Sequence, residues 1–263
     1  MPGVPPQESL PPIWVISLEQ AAERRERVGA AFAALGLACT ILDAVDGRAL
    51  TPAQVGRYSE WRACFEMGRG LRQGELGAAL SHLGVYERMV REEIPVVAVF
   101  EDDVEPGPDL PRLLAATDGL PPDWEVVNLR TTFVWSDPRP VATAPIADGY
   151  RVCTYGRTPL GAVGYLVNLA GARRALAAAH PVALPADELL FRPHPAGLTR
   201  YGIEPSPLGH RDTESEVIRR AEPVVRPRPV LQPLMWVVAT AGKVRRRAER
   251  VRQRRPESSS ASR

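Results

Sequence analysis

Cysteine is scarce in this chain. Cys39, Cys64 and Cys153 lie far apart and form no C-x-x-C pair, which excludes a disulfide framework or a zinc knuckle and fits a reducing cytosol. Long apolar runs are also missing. The stretch 230–241 contains Gln232 and Pro233 and is too short to cross a bilayer. The opening residues, Met-Pro-Gly-Val-Pro-Pro-Gln-Glu, have no basic segment followed by an apolar one, so no secretion signal is read there. Basic residues do not alternate with aromatics, and no nucleic-acid partner is expected. Internal repeats are absent, and the 27 prolines and 21 glycines punctuate the sequence without making it low in complexity. The expectation is a cytoplasmic protein.

What is present is ordinary for a soluble chain with a core: 263 residues, 44% hydrophobic and 24% charged. The net charge of +2 hides an asymmetry. From residue 243 onward, Lys243 and eight arginines face only Glu249 and Glu257, a balance of +7, which leaves about −5 for the rest. We therefore divide the chain into a domain over 13–222 and an appendage over 223–263, with a Pro-containing linker, a basic amphipathic helix and a disordered end.

Hydrophobic spacing gives the element order. A buried strand is predicted over 13–18, then an amphipathic helix over 20–35 with Ala22, Val28, Phe32 and Leu35 on one face. A strand around Ile41–Leu42 closes into the turn 43–47, and 51–72 reads as irregular with one short helix. The clearest helix runs from Glu75 to Glu92 on the stripe Leu76, Leu80, Leu83, Val90. Strands follow at 96–104 and 126–129, then a Pro-rich loop at 135–150, a strand at 161–168 and an Ala-rich helix at 170–179. Such alternation predicts an α/β domain with a mainly parallel central sheet flanked by helices, whose ligands collect at the carboxyl ends of its strands.

The most informative run is Val96 to Val104, an apolar strand ending in Glu101, Asp102 and Asp103. Adjacent carboxylates at a strand end need counter-charge or water, and a hard divalent cation supplies charge while holding a diphosphate. Continued strand geometry would point Glu101 and Asp103 one way and Asp102 the other. A solvated turn is the alternative.

Other residues admit two readings each. Glu75 and His82, seven apart on a helix, support the acidic strand, or are a helix-start acid and a core histidine. Arg24 and Arg25 reach a phosphate, or are a solvated helix face. Asp187 and Glu188, just after Pro185, offer a general base, or stabilise a helix dipole. His210 is a further metal ligand, or an ordinary loop histidine.

Several segments occur together in one order: Val15-Ile16-Ser17-Leu18 then Arg24-Arg25; Ala44-Val45-Asp46-Gly47; Gly74-Glu75-Leu76-Gly77 then Leu80-Ser81-His82; Phe100-Glu101-Asp102-Asp103-Val104; Gly164-Tyr165-Leu166-Val167 with Gly171-Ala172; and Pro185-Ala186-Asp187. This ordered set resembles glycosyltransferase family 25, which holds bacterial lipooligosaccharide and collagen galactosyltransferases. The resemblance implies a GT-A-like domain, a UDP-sugar donor, a glycan or glycolipid acceptor, and Mn²⁺ or Mg²⁺. It further implies metal ligation by Asp103, beside which His210 stays the further ligand read above from the residues alone, and donor binding by Ser17, Arg24, Arg25, Asp46, Glu101 and Asp102. Glu75, Ser81 and His82 would support them, and transfer would be inverting with Asp187, or Glu188, as base. His210 stands where the bacterial pattern commonly has glutamine, before Glu214-Ser215-Glu216-Val217.

For the tail, residues 230–255 join Leu231, Leu234, Met235 and Trp236 to Lys243 and the arginines. An interfacial helix on anionic lipid is one reading, giving peripheral membrane contact; a docked helix with a solvated end is the other. Two alternatives to a transferase remain: a basic-tailed adaptor with a degenerate domain, and a metal-dependent phosphoryl-transfer enzyme.

Overall fold

Five consecutive buried residues, Ile13–Ser17, form β1 in the computed structural model, which describes residues 10–131, 140–155, 161–192, 196–210, 224, 237–245 and 247. A strand with no solvated face needs a layer on each side. The remaining elements supply them: α1 (Ala22–Ala34), β2 (Thr40–Asp43), α2 (Pro52–Gly56), α3 (Glu60–Met67), α4 (Gln73–Arg91), β3 (Val96–Glu101), β4 (Val104–Pro106), α5 (Leu110–Ala115), β5 (Val126–Asn128), β6 (Pro140–Ala147), β7 (Tyr150–Tyr155), β8 (Gly164–Asn168), α6 (Leu169–Ala178), α7 (Ala186–Phe191), β9 (Arg200–Glu204) and β10 (Leu208–His210).

The main sheet has eight strands in the order β2-β1-β3-β8-β5-β9-β7-β6, and β4 pairs with β10 separately. The contacts β1–β2, β1–β3 and β5–β9 are parallel, and the other four are antiparallel. Only β7 and β8 therefore run against the other six strands. The expected mainly parallel sheet holds in strand direction, while its pairings are mixed.

Helix α4 covers one face of the sheet with α6 and α7. Leu76, Leu80 and Leu83 pack there with Val97, Val99 and Val167. The predicted stripe of α4 is broader than its leucines, since His82, Tyr86 and Met89 are buried too, while Val90 is half-buried. The other face holds Val28 and Phe32 of α1 and Leu110 and Leu113 of α5 against Val15, Ala98 and Phe100. Burying each of the valines, leucines and phenylalanines contributes roughly 1.5–3 kcal/mol. Ala22, expected on the buried face of α1, is exposed.

Three expectations need correction. Residues 51–72 hold two helices, α2 and α3, and α2 opens on a capping box in which Thr51 and Gln54 exchange hydrogen bonds. The stretch 135–150 is not all loop: Pro140–Ala147 is a strand, with residues 132–139 outside the described ones. It lies at the sheet edge, where proline's missing N–H interrupts no ladder on the open side. The acidic strand also ends at Glu101, because Asp102 and Asp103 form a turn before β4. Strand alternation therefore does not extend to Asp103.

Candidate active site

The parallel trio β2-β1-β3 brings three strand ends together. Ser17 stands opposite Asp43, and Ile16 opposite Glu101. The antiparallel β8 begins at the same edge, where Gly164 pairs with Phe100 and the Glu101 N–H donates to the Val163 carbonyl. The acidic turn thus sits at the carboxyl edge of the sheet, where α/β folds bind ligands.

Asp102 points toward α1. Its Oδ2 accepts from the Ser17 hydroxyl at 2.5 Å and lies 3.4 Å from Arg24 Nε. Arg27 donates to its carbonyl at 3.4 Å. Arg24 and Arg27, one helical turn apart, therefore both face the acidic turn. Burial raises the Asp102 pKa, while Ser17 and Arg24 oppose the rise. Arg25 turns elsewhere, donating to the carbonyls of Ser17 and Leu18 and pairing with Asp43 at 2.6 Å. It staples α1 to the strand ends.

Asp103 is half-buried, and its carboxyl is pushed up to about 7, by burial first and then by the charges of Glu101 and Asp102. Arg130, after β5, acts in the opposite direction. The β4–β10 pair sets His210 opposite Val104, the residue after Asp103.

Glu101 faces the other side, toward α4, where His82 Nε2 lies 3.3 Å from its Oε1. His82 Nδ1 in turn lies 2.7 Å from the Tyr165 hydroxyl. Asp187, in the first turn of α7, joins this side. Its Oδ2 accepts from Gly161 N at 3.1 Å and its Oδ1 from Glu188 N at 2.8 Å. Gly161 adopts φ 106°, a conformation that favours glycine. Burial raises the Asp187 pKa; those two N–H donors and His82 oppose the rise, and Glu101 adds to it. Glu188 pairs with Arg192 at 3.3 Å.

The remaining candidates form the frame. Glu75 takes Arg69 through both oxygens, at 2.6 and 2.7 Å, and accepts from Arg72 N at 2.8 Å. Burial alone would raise its pKa, but these partners outweigh burial and hold it low. Asp46 accepts from Arg48 and Gln20, and Arg48 above all holds its pKa down at about 2. Ser81 donates to the Gly77 carbonyl and accepts from Val45 N, both at 2.8 Å. This bond fastens the 44–47 loop onto α4. A Cβ on Gly77 would stand 2.7 Å from Val45 O, and one on Gly47 would stand 2.2 Å from Gln73 O, so close contact requires glycine at both places.

Among the described residues no cluster of three or more His, Cys, Asp or Glu converges as a ready-made metal cage. A divalent cation at Asp103 would take most of its ligands from a bound diphosphate and water, which is how Mg²⁺-type sites are commonly built. The half-buried Asp103 carboxyl, pushed up by burial and by the neighbouring charges, is the oxygen donor that fits a hard cation there.

The profile described as "Glycosyltransferase family 25 (LPS biosynthesis protein)" matches residues 10–190. The chain belongs to glycosyltransferase family 25. Relatives within the family include the "Probable inactive glycosyltransferase 25 family member 3" of Bos taurus, 30% identical over 74% of this chain and 34% of that one. The "Procollagen galactosyltransferase 1-A" of Xenopus laevis is 30% identical over 71% of this chain and 31% of its own. The "Inactive glycosyltransferase 25 family member 3" of Homo sapiens is 31% identical over 70% and 32%. The chain thus spans about a third of the length of these curated relatives. A solved glycosyltransferase "involved in the glycosylation of the major capsid of PBCV-1" aligns over 65% of the chain with 10% identity and a TM-score of 0.32.

This family-25 chain brings most of its expected site residues to one sheet edge. Ser17, Arg24 and the acidic turn meet directly, Asp187 and His82 gather around Glu101, and His210 is level with the turn by strand register. Asp46, Glu75 and Ser81 hold the neighbouring loop and helix, and Glu188 is engaged with Arg192. Sequence reasoning assigned no role to Tyr165 or Arg130. Tyr165 carried a signal in Gly164-Tyr165, a polar side chain in an apolar strand; Arg130 carried none.

In the tail, residues 237–245 form a helix, and Arg245 pairs with the buried Glu66 while lying 4.5 Å above the Phe65 ring. Trp236 with the preceding apolar residues, and the Ser258–Ser260 end, lie outside the described residues. No helix among the described residues is long and apolar enough to cross a membrane.

Proposed function

We propose that this chain is a GT-A-like, metal-dependent glycosyltransferase moving a hexose, galactose foremost, from a UDP-sugar to a bacterial surface glycan or glycolipid, with inversion. The observation that carries this is the acidic turn at the carboxyl end of β3, in a family-25 chain, with a second raised carboxylate, Asp187, on the α4 side of the same edge. Asp103 and His210 would hold a divalent cation, which when bound would supply positive charge against the departing diphosphate. Arg24 and Ser17 hold Asp102 and so the turn itself. Glu101 faces the donor sugar. Asp187 takes the proton of the acceptor hydroxyl as its oxygen bonds to the anomeric carbon, while the bond from that carbon to the phosphate oxygen breaks and UDP leaves. A base with a raised pKa suits that step, since it binds the proton it must accept.

The tail supports a lipid-linked acceptor on the cytoplasmic face of a membrane. Val237, Ala241 and Val244 are exposed along one stripe of the helix, and Lys243 and Arg247 are exposed nearby. Such a face suits an anionic surface, and co-sedimentation with vesicles with and without anionic lipid tests it. A panel of UDP-sugars with Mn²⁺, run on wild type and Asp103→Ala, tests the transfer. We expect turnover of at least one sugar in wild type and none in the variant; equal turnover removes Asp103 from the site. A degenerate domain is the second reading, favoured by relatives named as inactive. No turnover of any sugar nucleotide would support it.

A further inference from the structure

Helix α4 and strand β8 meet in a buried hydrogen-bonded chain that the transfer step does not use. Tyr86 and Tyr165 are fully buried, and His82 nearly so. The Tyr86 and Tyr165 hydroxyls are 2.7 Å apart, Tyr165 lies 2.7 Å from His82 Nδ1, and His82 Nε2 lies 3.3 Å from Glu101. The His82 and Tyr165 rings also stack, with centroids 5.7 Å apart. The chain thus runs from the core to the carboxylate at the end of β3.

Only one polarity satisfies every proton in it. If Tyr86 donates to Tyr165, and Tyr165 to His82 Nδ1, the imidazole proton sits on Nε2 and donates to Glu101. In the reverse sense His82 Nδ1 donates to Tyr165 and Tyr165 to Tyr86. The Tyr86 proton then has no acceptor among the described residues, and the bare Nε2 faces a carboxylate oxygen. A buried hydroxyl proton without an acceptor is strongly disfavoured. The hydrogen bond at one imidazole nitrogen fixes which proton the other carries.

We propose that Tyr165 is a positioning residue: it locks His82 as the Nε2–H tautomer, and His82 thereby orients Glu101 toward the donor sugar. The kinetic consequence rests on the transferase reading above, whereas the tautomer does not. This also accounts for two segments far apart in sequence, Ser81-His82 and Gly164-Tyr165, serving one carboxylate.

The test combines ¹⁵N NMR of the His82 ring with steady-state kinetics. Wild type should show the proton on Nε2 alone. Tyr165→Phe, which leaves Nδ1 without its partner, should free the ring to reorient and so admit the Nδ1–H tautomer, and lower kcat/KM for the sugar nucleotide on the order of tenfold, the lower end for loss of an orienting partner. Because that variant also strands the Tyr86 hydroxyl, the double variant Y86F/Y165F should regain thermal stability yet keep the kinetic loss. His82→Gln, whose amide N–H replaces Nε2–H, should recover activity lost in His82→Ala. An Nδ1–H tautomer in wild type, unaltered kinetics in Tyr165→Phe, or recovery of both stability and kinetics in the double variant would overturn the proposal. A wild type inert toward every sugar nucleotide sinks the transferase reading and Glu101's task with it, while the tautomer still judges the chain's polarity.

Discussion

Replacing Asp103 by asparagine should stabilise the metal-free protein while abolishing the metal-dependent turnover proposed for it. The Asp103 carboxyl is pushed from 3.8 to about 7. A folded-state pKa above the unfolded one means that ionisation disfavours folding. Stability is therefore lost as the pH rises from about 4 through about 7. Three units at ~1.4 kcal/mol each set an upper bound of ~4 kcal/mol. The group is partly exposed, and solvent screening brings this to ~2 kcal/mol. At roughly 2–4 °C per kcal/mol for a chain of this size, the variant's Tm should rise by about 4–8 °C.

The assay is thermal unfolding in a chelator at two pH values. Near pH 8.5 the full gain should appear; near pH 4, close to the unfolded-state value, little should remain. Adding Mn²⁺ with UDP should then raise the Tm of wild type but not of the variant, because ligand binding to the folded state alone stabilises it. A variant less stable than wild type near pH 8.5, or with the same gain at both pH values, refutes the account of the acidic turn.

Asp187→Asn should lower kcat by about 10²-fold or more while leaving UDP-sugar affinity, measured by calorimetry, little changed; a wild-type rate excludes it as the base. Arg245→Ala removes the cation paired with Glu66, whose side chain is only 7% exposed. Breaking a fully buried pair costs about 3–5 kcal/mol, and the partial exposure of Arg245 brings the expected loss to ~2 kcal/mol by urea unfolding. Glu66→Gln in that background should recover part of it. No loss on Arg245→Ala would mean that the tail helix does not dock there in solution.

The parts of this architecture that sequence reveals are those where a local pattern and the tertiary fold agree. The strand at 13–17, the helix at 73–91 and the acidic strand end were legible because burial on one or both faces dictates their spacing. The hairpin β6–β7 was not, because Pro140 and Pro145 are signals against a strand everywhere except at an edge, and edge position is a property of the whole sheet. The direction of β8 was equally hidden, since a buried strand reads alike either way. At the site, residue types were visible and pairings were not. Arg24 and Arg25 are neighbours in sequence, yet one meets Asp102 and the other Asp43. The Tyr86–Tyr165–His82 chain joins residues 79 and 83 positions apart, and only the sheet order brings them together.

Similarity by itself does not decide between turnover and its loss, because this chain is equally close to galactosyltransferases and to relatives named as inactive. What separates the cases is whether the acidic turn takes a cation. Burial raises the carboxyls of Asp102, Asp103 and Asp187, and a cation beside Asp103 would invert that balance and drive its proton off. Joint binding of Mn²⁺ and UDP near pH 7 should therefore release protons from the acidic turn, because a cation favours the charged form of Asp103, whose carboxyl is pushed up to about 7. Calorimetric titration in buffers of different ionisation enthalpy measures that release directly. Asp103→Asn should show a smaller release. A binding heat independent of buffer in wild type would mean that no cation displaces a proton from the turn, and the case for a metal-assisted transferase would fail at its first step.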